Sequence, residues 1–212
     1  MARTVKPADV RRDEILDVAG RLFATKGYES TTINDLLDAT DIARGTLYHH
    51  FTSKEQVLDG LIRRHGDRLL ATIEAVAASK GPALSKLAAC IVGLAPADDE
   101  QATLMTELSV AGDAVMFHKS LDYIVMRLAP VGARVVEQGV AEGVFRVADP
   151  LAAVRVLLAA THALMDNPDF AWTVAERRQL TACLLESAER VLGAQPGSLA
   201  STITGIAIQD LT

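Results

Sequence analysis

A chain of 212 residues, half of them hydrophobic, is long enough for one large core, or for a small domain of about 50 residues joined to a larger one. The opening MARTVKPADVRRDEI is charged where a secretory signal would be apolar, and no apolar run reaches the roughly 18 residues that span a bilayer, so a cytoplasmic protein with no membrane contact is expected. The net charge of −6 weighs against nonspecific coating of nucleic acid, because neutralising phosphates calls for a basic face.

The apolar residues recur at helical spacing throughout, without sustained alternation, so the fold class is all-α. A first helix is expected from Ala8 to Lys26, built on Val10, Ile15, Val18, Ala19, Leu22 and Phe23, with Gly27 as its left-handed cap. A second opens at Thr32, a good N-cap, and turns Ile33, Leu36 and Leu37 inward. A third covers Arg44 to His50, with Leu47 and Phe51 inward. Ser53 and Gln56 form a capping box that starts a long fourth helix running to Ala78, and Gly81-Pro82 punctuates the chain after it.

Beyond Pro82, Leu84, Leu87, Ile91 and Leu94 mark one helix, and a second is expected around Leu104, Met105 and Leu108. A long helix from Leu121 to Val140 contains Pro130, which removes a backbone hydrogen bond and predicts a kink. Asp149-Pro150 supplies an N-cap and a first-turn proline for a helix to Met165 that is apolar nearly all round, implying burial on more than one side. Thr173 and Glu176 form a second capping box for a last helix carrying Leu180, Cys183, Leu184, Val191 and Leu192. These last two helices are candidates for a subunit interface. After Pro196 no helical period is visible, and a partly disordered tail is expected. Cys90 and Cys183 read as buried free thiols, since neither has metal-ligand or CxxC spacing.

The two short helices joined by Thr40-Asp41-Ile42 have the length and apolar spacing of a helix-turn-helix. By spacing alone they also fit an ordinary bundle. The segment TTINDLLDATDIARGTLYHHFTSKEQVLDGLI closely resembles the DNA-binding signature of the TetR family of regulators, and RRDEILDVAGRLFATKGYESTT resembles that family's first helix and loop. The resemblance is dense from Ile15 to Ile62; Asp41 stands where glycine is common and Ala43 where a capping Ser or Thr is frequent. Beyond it, the chain is similar only in helical layout.

The resemblance implies a helix-turn-helix domain over residues 1–53, a helical ligand-binding and dimerisation domain over 54–195 reached through the long helix, and a tail over 196–212. It also implies a homodimer that binds a palindromic double-stranded DNA operator and is released by a small-molecule effector, with the long helix transmitting the change. On the DNA side it places Arg44, Gly45, Thr46, Tyr48, His49 and His50. The chemistry of these groups is consistent with this. Arg44 has the planar fork that reads guanine O6 and N7, Gly45 lets the backbone approach, and Thr46 can bond a phosphate or touch a thymine methyl. Tyr48, His49 and Lys54 suit phosphates, and Thr32 and Asn34 offer donors to the sugar-phosphate chain. Up to Thr52 there are seven basic and eight acidic residues, so the placement of charge matters more than its sum.

For the effector, Met105, Glu107, Leu108, Phe117, His118, Tyr123, His162 and Trp172 are the candidate lining, suited to a hydrophobic molecule with a few hydrogen-bonding groups. One by one these residues also read as core, and His65, His118 and His162 as structural histidines. Arg63, Arg64 and Arg68 read as a solvated face. No nucleophile elbow, phosphate loop, zinc spacing or carboxylate pair is present, so no enzyme, metal or cofactor is expected. An activator, or an architectural DNA-binding protein, is the alternative.

Overall fold

The computed structural model describes residues 7–94, 114–167 and 169–209. All regular structure among them is helical: α1 (Ala8–Lys26), α2 (Ile33–Thr40), α3 (Arg44–His50), α4 (Lys54–Ala78), α5 (Ala83–Gly93), α6 (Ala114–Tyr123), α7 (Ala129–Ala141), α8 (Pro150–Met165), α9 (Val174–Leu192) and α10 (Ser198–Gln209). No helix among the described residues is long and apolar enough to cross a membrane. The helix expected around Leu104 to Leu108 lies outside the described residues.

Two compact units divide the described chain, with the division falling inside α4. The first holds residues 7–65 with 114–119. Its core takes Ile15, Leu16, Ala19 and Phe23 from α1, Leu36 from α2, Leu47 and Phe51 at α3, and Val57, Leu58 and Leu61 from α4. Phe23 meets Tyr28 edge-on, with ring centroids 5.1 Å apart. Gly60 lets α4 come close: a Cβ there would stand 3.0 Å from both Leu16 Cδ2 and Phe51 Cε1. Arg64, expected on a solvated face, instead pairs back to α1, with Nη2 2.8 Å from Asp17 and Nη1 3.5 Å from Asp13. Gly27 ends α1 at φ 84° and ψ 150°, a glycine-only conformation outside the left-handed helical well that was expected.

The second unit holds residues 66–94, 120–167 and 169–209. Ala83, Ala129, Val136, Phe145, Ala153, Val154 and Leu192 form one cluster of its core, and Ile73, Cys90, Leu128 and Val131 another. Lys86 is buried, and its ammonium donates to the Ala77 carbonyl at 3.0 Å and to Gln138 Oε1 at 2.9 Å. Glu142 accepts from the Ala83 N–H at 2.8 Å, which holds the start of α5 to α7. That contact holds the Glu142 carboxyl below the usual carboxylate range.

Three sequence expectations change here, and the site of the expected kink takes a definite local form. Just before Pro130, where a kink is expected, residues Ile124–Leu128 widen into a π turn, with the Ala129 N–H bonded to the Ile124 carbonyl, and α7 continues from there. After Pro196, residues Ser198–Gln209 are helical. Glu189, buried in α9, accepts from the Gly197 N–H at 2.7 Å and the Leu199 N–H at 2.8 Å, so a carboxylate from another helix satisfies the first turn of α10 while Leu199 is fully buried. Cys183 is exposed although Cys90 is buried, because α9 covers only Glu189 and Leu192 completely within one chain. Likewise α8 buries Ala153, Val154 and His162 but leaves Val156 61% exposed, so it is not enclosed on all sides.

Candidate nucleic-acid interface

The turn between α2 and α3 is made by Asp41, at φ 50° and ψ 43°, the left-handed conformation that Asp tolerates better than most residues. Thr32 caps α2, and a capping box closes it: the Asp35 N–H donates to Thr32 Oγ1 at 3.2 Å and the Thr32 N–H to Asp35 Oδ2 at 2.7 Å. Lys26 Nζ donates to the same Asp35 oxygen at 2.7 Å. Lys26 first, and Thr32 after it, hold the Asp35 carboxyl well below the usual range. Ala43 begins α3 without a side-chain cap; the Thr46 and Leu47 N–H groups bond its carbonyl at 2.8 and 3.2 Å.

Leu47 and Phe51 seat α3 in the core, and the 3.6-residue period then places the other side chains. Arg44, Gly45, Tyr48 and His49 are exposed, with Tyr48 at 42%, and Thr46 is half-buried on the same helix. Arg44 Nη2 donates to Asn34 Oδ1 at 2.7 Å, linking the first turns of α3 and α2. Thr32 and Asn34 are exposed at the start of α2, although the Thr32 hydroxyl is engaged by Asp35 at 2.7 Å.

Two predicted residues lie elsewhere. His50 falls three positions after Leu47, hence on its flank, and lines a surface cleft of about 280 Å³ with Arg12, Phe51, Gln56, Asp59, Gly60 and Arg63. Burial, with His49 and Arg12 adding to it, lowers its pKa. Lys54 donates to the Tyr28 carbonyl at 2.7 Å and the Glu29 carbonyl at 3.2 Å, and its ammonium lies 4.2 Å from the Tyr28 ring centroid. It therefore staples the loop before α2. The capping box that opens α4 is looser than expected: Gln56 N–H bonds Ser53 Oγ, but Gln56 Oε1 accepts from Thr52, one residue before the cap.

Six of the acidic residues described in this unit are in ion pairs. Glu14 faces Arg11 at 2.7 Å, Asp13 and Asp17 face Arg64, and Asp35 faces Lys26. Lys119 bridges Glu55 at 3.0 Å and Asp59 at 2.8 Å, and both carboxylates raise its pKa. The even balance of charges thus conceals ion pairs that leave the α3 cation Arg44 bonded to a neutral amide. The positioning roles of Asp35 and Lys26 were not read from the sequence; the Thr-x-x-Asp spacing is a local signal for the first, whereas the second depends on α1 packing against α2.

Of the expected effector residues, Met105, Glu107 and Leu108 lie outside the described residues. Phe117 is half-buried and His118 exposed, with ring centroids 5.6 Å apart, in the first unit. The other three are in the second unit, each in its own local bond. Tyr123 donates to Asp67 at 2.6 Å, His162 Nδ1 is 2.9 Å from Asp166, and Trp172 Nε1 donates to the Leu164 carbonyl at 2.7 Å. Among the described residues no group of three His, Cys, Asp or Glu could hold a metal ion.

Comparison with known proteins adds two matches to one family. Residues 15–61 match the model of the bacterial regulatory proteins of the tetR family, and residues 98–187 match a tetracyclin repressor-like C-terminal domain, together well over half of the chain. The transcriptional repressor KstR2 of Rhodococcus jostii is 45% identical over 69 residues, covering 32% of this chain and 34% of that protein. The chain thus aligns with about a third of this curated relative's length. A tetR-family regulatory protein from Rhodococcus RHA1 superposes with a TM-score of 0.60 at 21% identity, covering 91% of this chain and all of the other. RolR, crystallised with resorcinol, superposes with a TM-score of 0.61 at 16% identity, covering 92% and 94%. These two structures share the fold. With both matched segments falling on the helix-turn-helix and the helical region behind it, the chain belongs to the tetR family of bacterial regulatory proteins.

Proposed function

We propose that the protein is a transcriptional repressor that binds a palindromic DNA operator as a homodimer and is released by a small hydrophobic molecule. The observation that carries this reading is the α2–Asp41–α3 unit, whose buried Leu47 and Phe51 leave Arg44, Gly45, Tyr48 and His49 facing outward. A guanidinium at the start of a groove-sized helix suits guanine, and the ring hydroxyl and imidazole suit phosphates. Thr32, Asn34 and Thr46 complete the contact set, while His50 and Lys54 support the domain.

Two copies joined through α8 and α9 set two recognition helices about one DNA turn, roughly 34 Å, apart. Val156 and Val174, 61% and 72% exposed, and the exposed Phe170 and Val191 support that role for these helices. An effector held in the second unit, near Tyr123, His162 and Trp172, would act through α4 and change the half-site spacing. Reversing a 1:99 preference to 99:1 requires about 5.5 kcal/mol of differential affinity. The resorcinol complex of RolR gives the fold a precedent for a small aromatic ligand.

The test is fluorescence anisotropy of the full chain on a duplex selected from a randomised library, against a scrambled duplex, at two salt concentrations. The repressor reading expects a preference of about a thousandfold or more that survives the higher salt. Equal, salt-sensitive affinity for both duplexes would replace it with the architectural reading.

A further inference from the structure

The Arg44–Asn34 bond is the one described side-chain link between α2 and α3 on the exposed side, and both partners are surface residues. An exposed arginine gains nothing structural from a neutral amide that water would not also provide, so the bond's consequence is geometric. Arg44 has four side-chain torsions and Asn34 has two. Asn34 also stands on a fixed base: it lies between Thr32 and Asp35, whose reciprocal capping bonds and Lys26 contact lock the first turn, and Leu36 behind it is fully buried.

We propose that Asn34 is a positioning residue for sequence reading: it holds the Arg44 guanidinium in the orientation that meets a base edge. This rests on the assignment of α3 as the recognition helix. A guanidinium has five N–H groups and no acceptor, so the amide must present its oxygen to Arg44. The bond uses one N–H and leaves four, enough for the bidentate fork to guanine O6 and N7. The same orientation turns the Asn34 NH₂ away from Arg44, where it can donate to a phosphate. Asn34 therefore affects which base is chosen without touching a base.

The test compares the full chain with Arg44→Ala, Asn34→Ala, Asn34→Asp and the Arg44→Ala/Asn34→Ala double variant. Each is measured for affinity on the selected duplex and on single base-pair substitutions across one half-site. Arg44→Ala removes the preference at one G·C pair, about tenfold or more in the parent. Asn34→Ala lowers the preference at that same pair about fivefold, changes the other pairs little, and has no added effect on preference when Arg44 is already alanine. Asn34→Asp keeps the acceptor, so it retains the preference while its charge weakens binding to every sequence. Melting temperatures guard against unfolding, and Asn34→Asp separates positioning from stability if Asn34→Ala melts early. If Asn34→Ala weakens all duplexes equally, or leaves the preference at Arg44's base pair intact, the positioning role is wrong and the recognition helix stands. If Arg44→Ala alters no base-pair preference, the assignment beneath the proposal fails as well.

Discussion

Lys54 shows how the same residue type can serve two physical ends. A lysine beside a recognition helix suits a phosphate, yet its ammonium is held by the Tyr28 and Glu29 carbonyls and lies over the Tyr28 ring. Lys54→Met keeps the aliphatic stem and removes the charge. The loss of two charge-assisted bonds and a cation–π contact should lower stability by about 1–3 kcal/mol, read from urea unfolding. A lysine serving only a phosphate would instead leave the unfolding midpoint unchanged and reduce the salt slope of DNA binding by about 1. His50 is a similar case at the residue scale: the family resemblance implies the DNA side for it, whereas it lines a cleft with Arg12 and the start of α4. What decides both residues is the packing of α1 and α4, which adjacent sequence does not encode.

At the scale of elements, local chemistry was legible and remote chemistry was not. The Thr173–Glu176 box, the Asp149 cap and Pro150 at the start of α8, the left-handed Asp41 and the bounds of α1, α3 and α4 all rest on residues within a few positions of one another. By contrast α10 was invisible because its cap, Glu189, comes from α9 and its sequence, SLASTITGIAIQ, is rich in small and β-branched residues with little helical contrast. Glu189→Ala leaves the buried Leu199 N–H and the more exposed Gly197 N–H at the start of α10 without their acceptor, at a cost of about 1–3 kcal/mol. Hydrogen exchange should quicken across residues 198–206 before the rest of the second unit changes.

Acid sensitivity belongs to this scale too. Asp35, Glu142 and Glu176 each hold a helix terminus and each titrate below their ordinary values, through Lys26, the Ala83 N–H and the Thr173 hydroxyl respectively. The folded form binds their protons more weakly than the unfolded chain, so their stabilisation is complete above the unfolded values near pH 4 and is lost as pH falls through the folded ones. Thermal unfolding should therefore show no pH-dependent change from these three groups between pH 7 and 5, where their stabilisation is constant, and a falling midpoint below about pH 4. Asp35→Asn should flatten part of that fall.

At the scale of the whole molecule, the proposed repressor is two chains acting together. Val156 on α8 and Val174 on α9 are more exposed than isolated core residues of their type, and Cys183 is open on the same pair of helices. The sequence led us to expect burial for these helices, and within one chain that burial is incomplete. The proposed dimer would supply the missing cover from a second copy. A Val156→Asp/Val174→Asp variant should sediment as a monomer with an unchanged helical spectrum, and its affinity for the selected duplex should fall about a hundredfold or more as bivalent binding is lost. A dimer that persists would move the interface elsewhere.

The central claim is that α3 reads DNA through Arg44. It is tested most directly by footprinting Arg44→Ala and the parent chain on the same selected duplex, with the melting temperature and dimer mass of both recorded alongside. The expected result is a loss of about tenfold in preference at each half-site, roughly a hundredfold between the selected and scrambled duplexes, with weakened protection of both half-sites, while the fold and dimer remain. An unchanged footprint with unchanged affinity would contradict it.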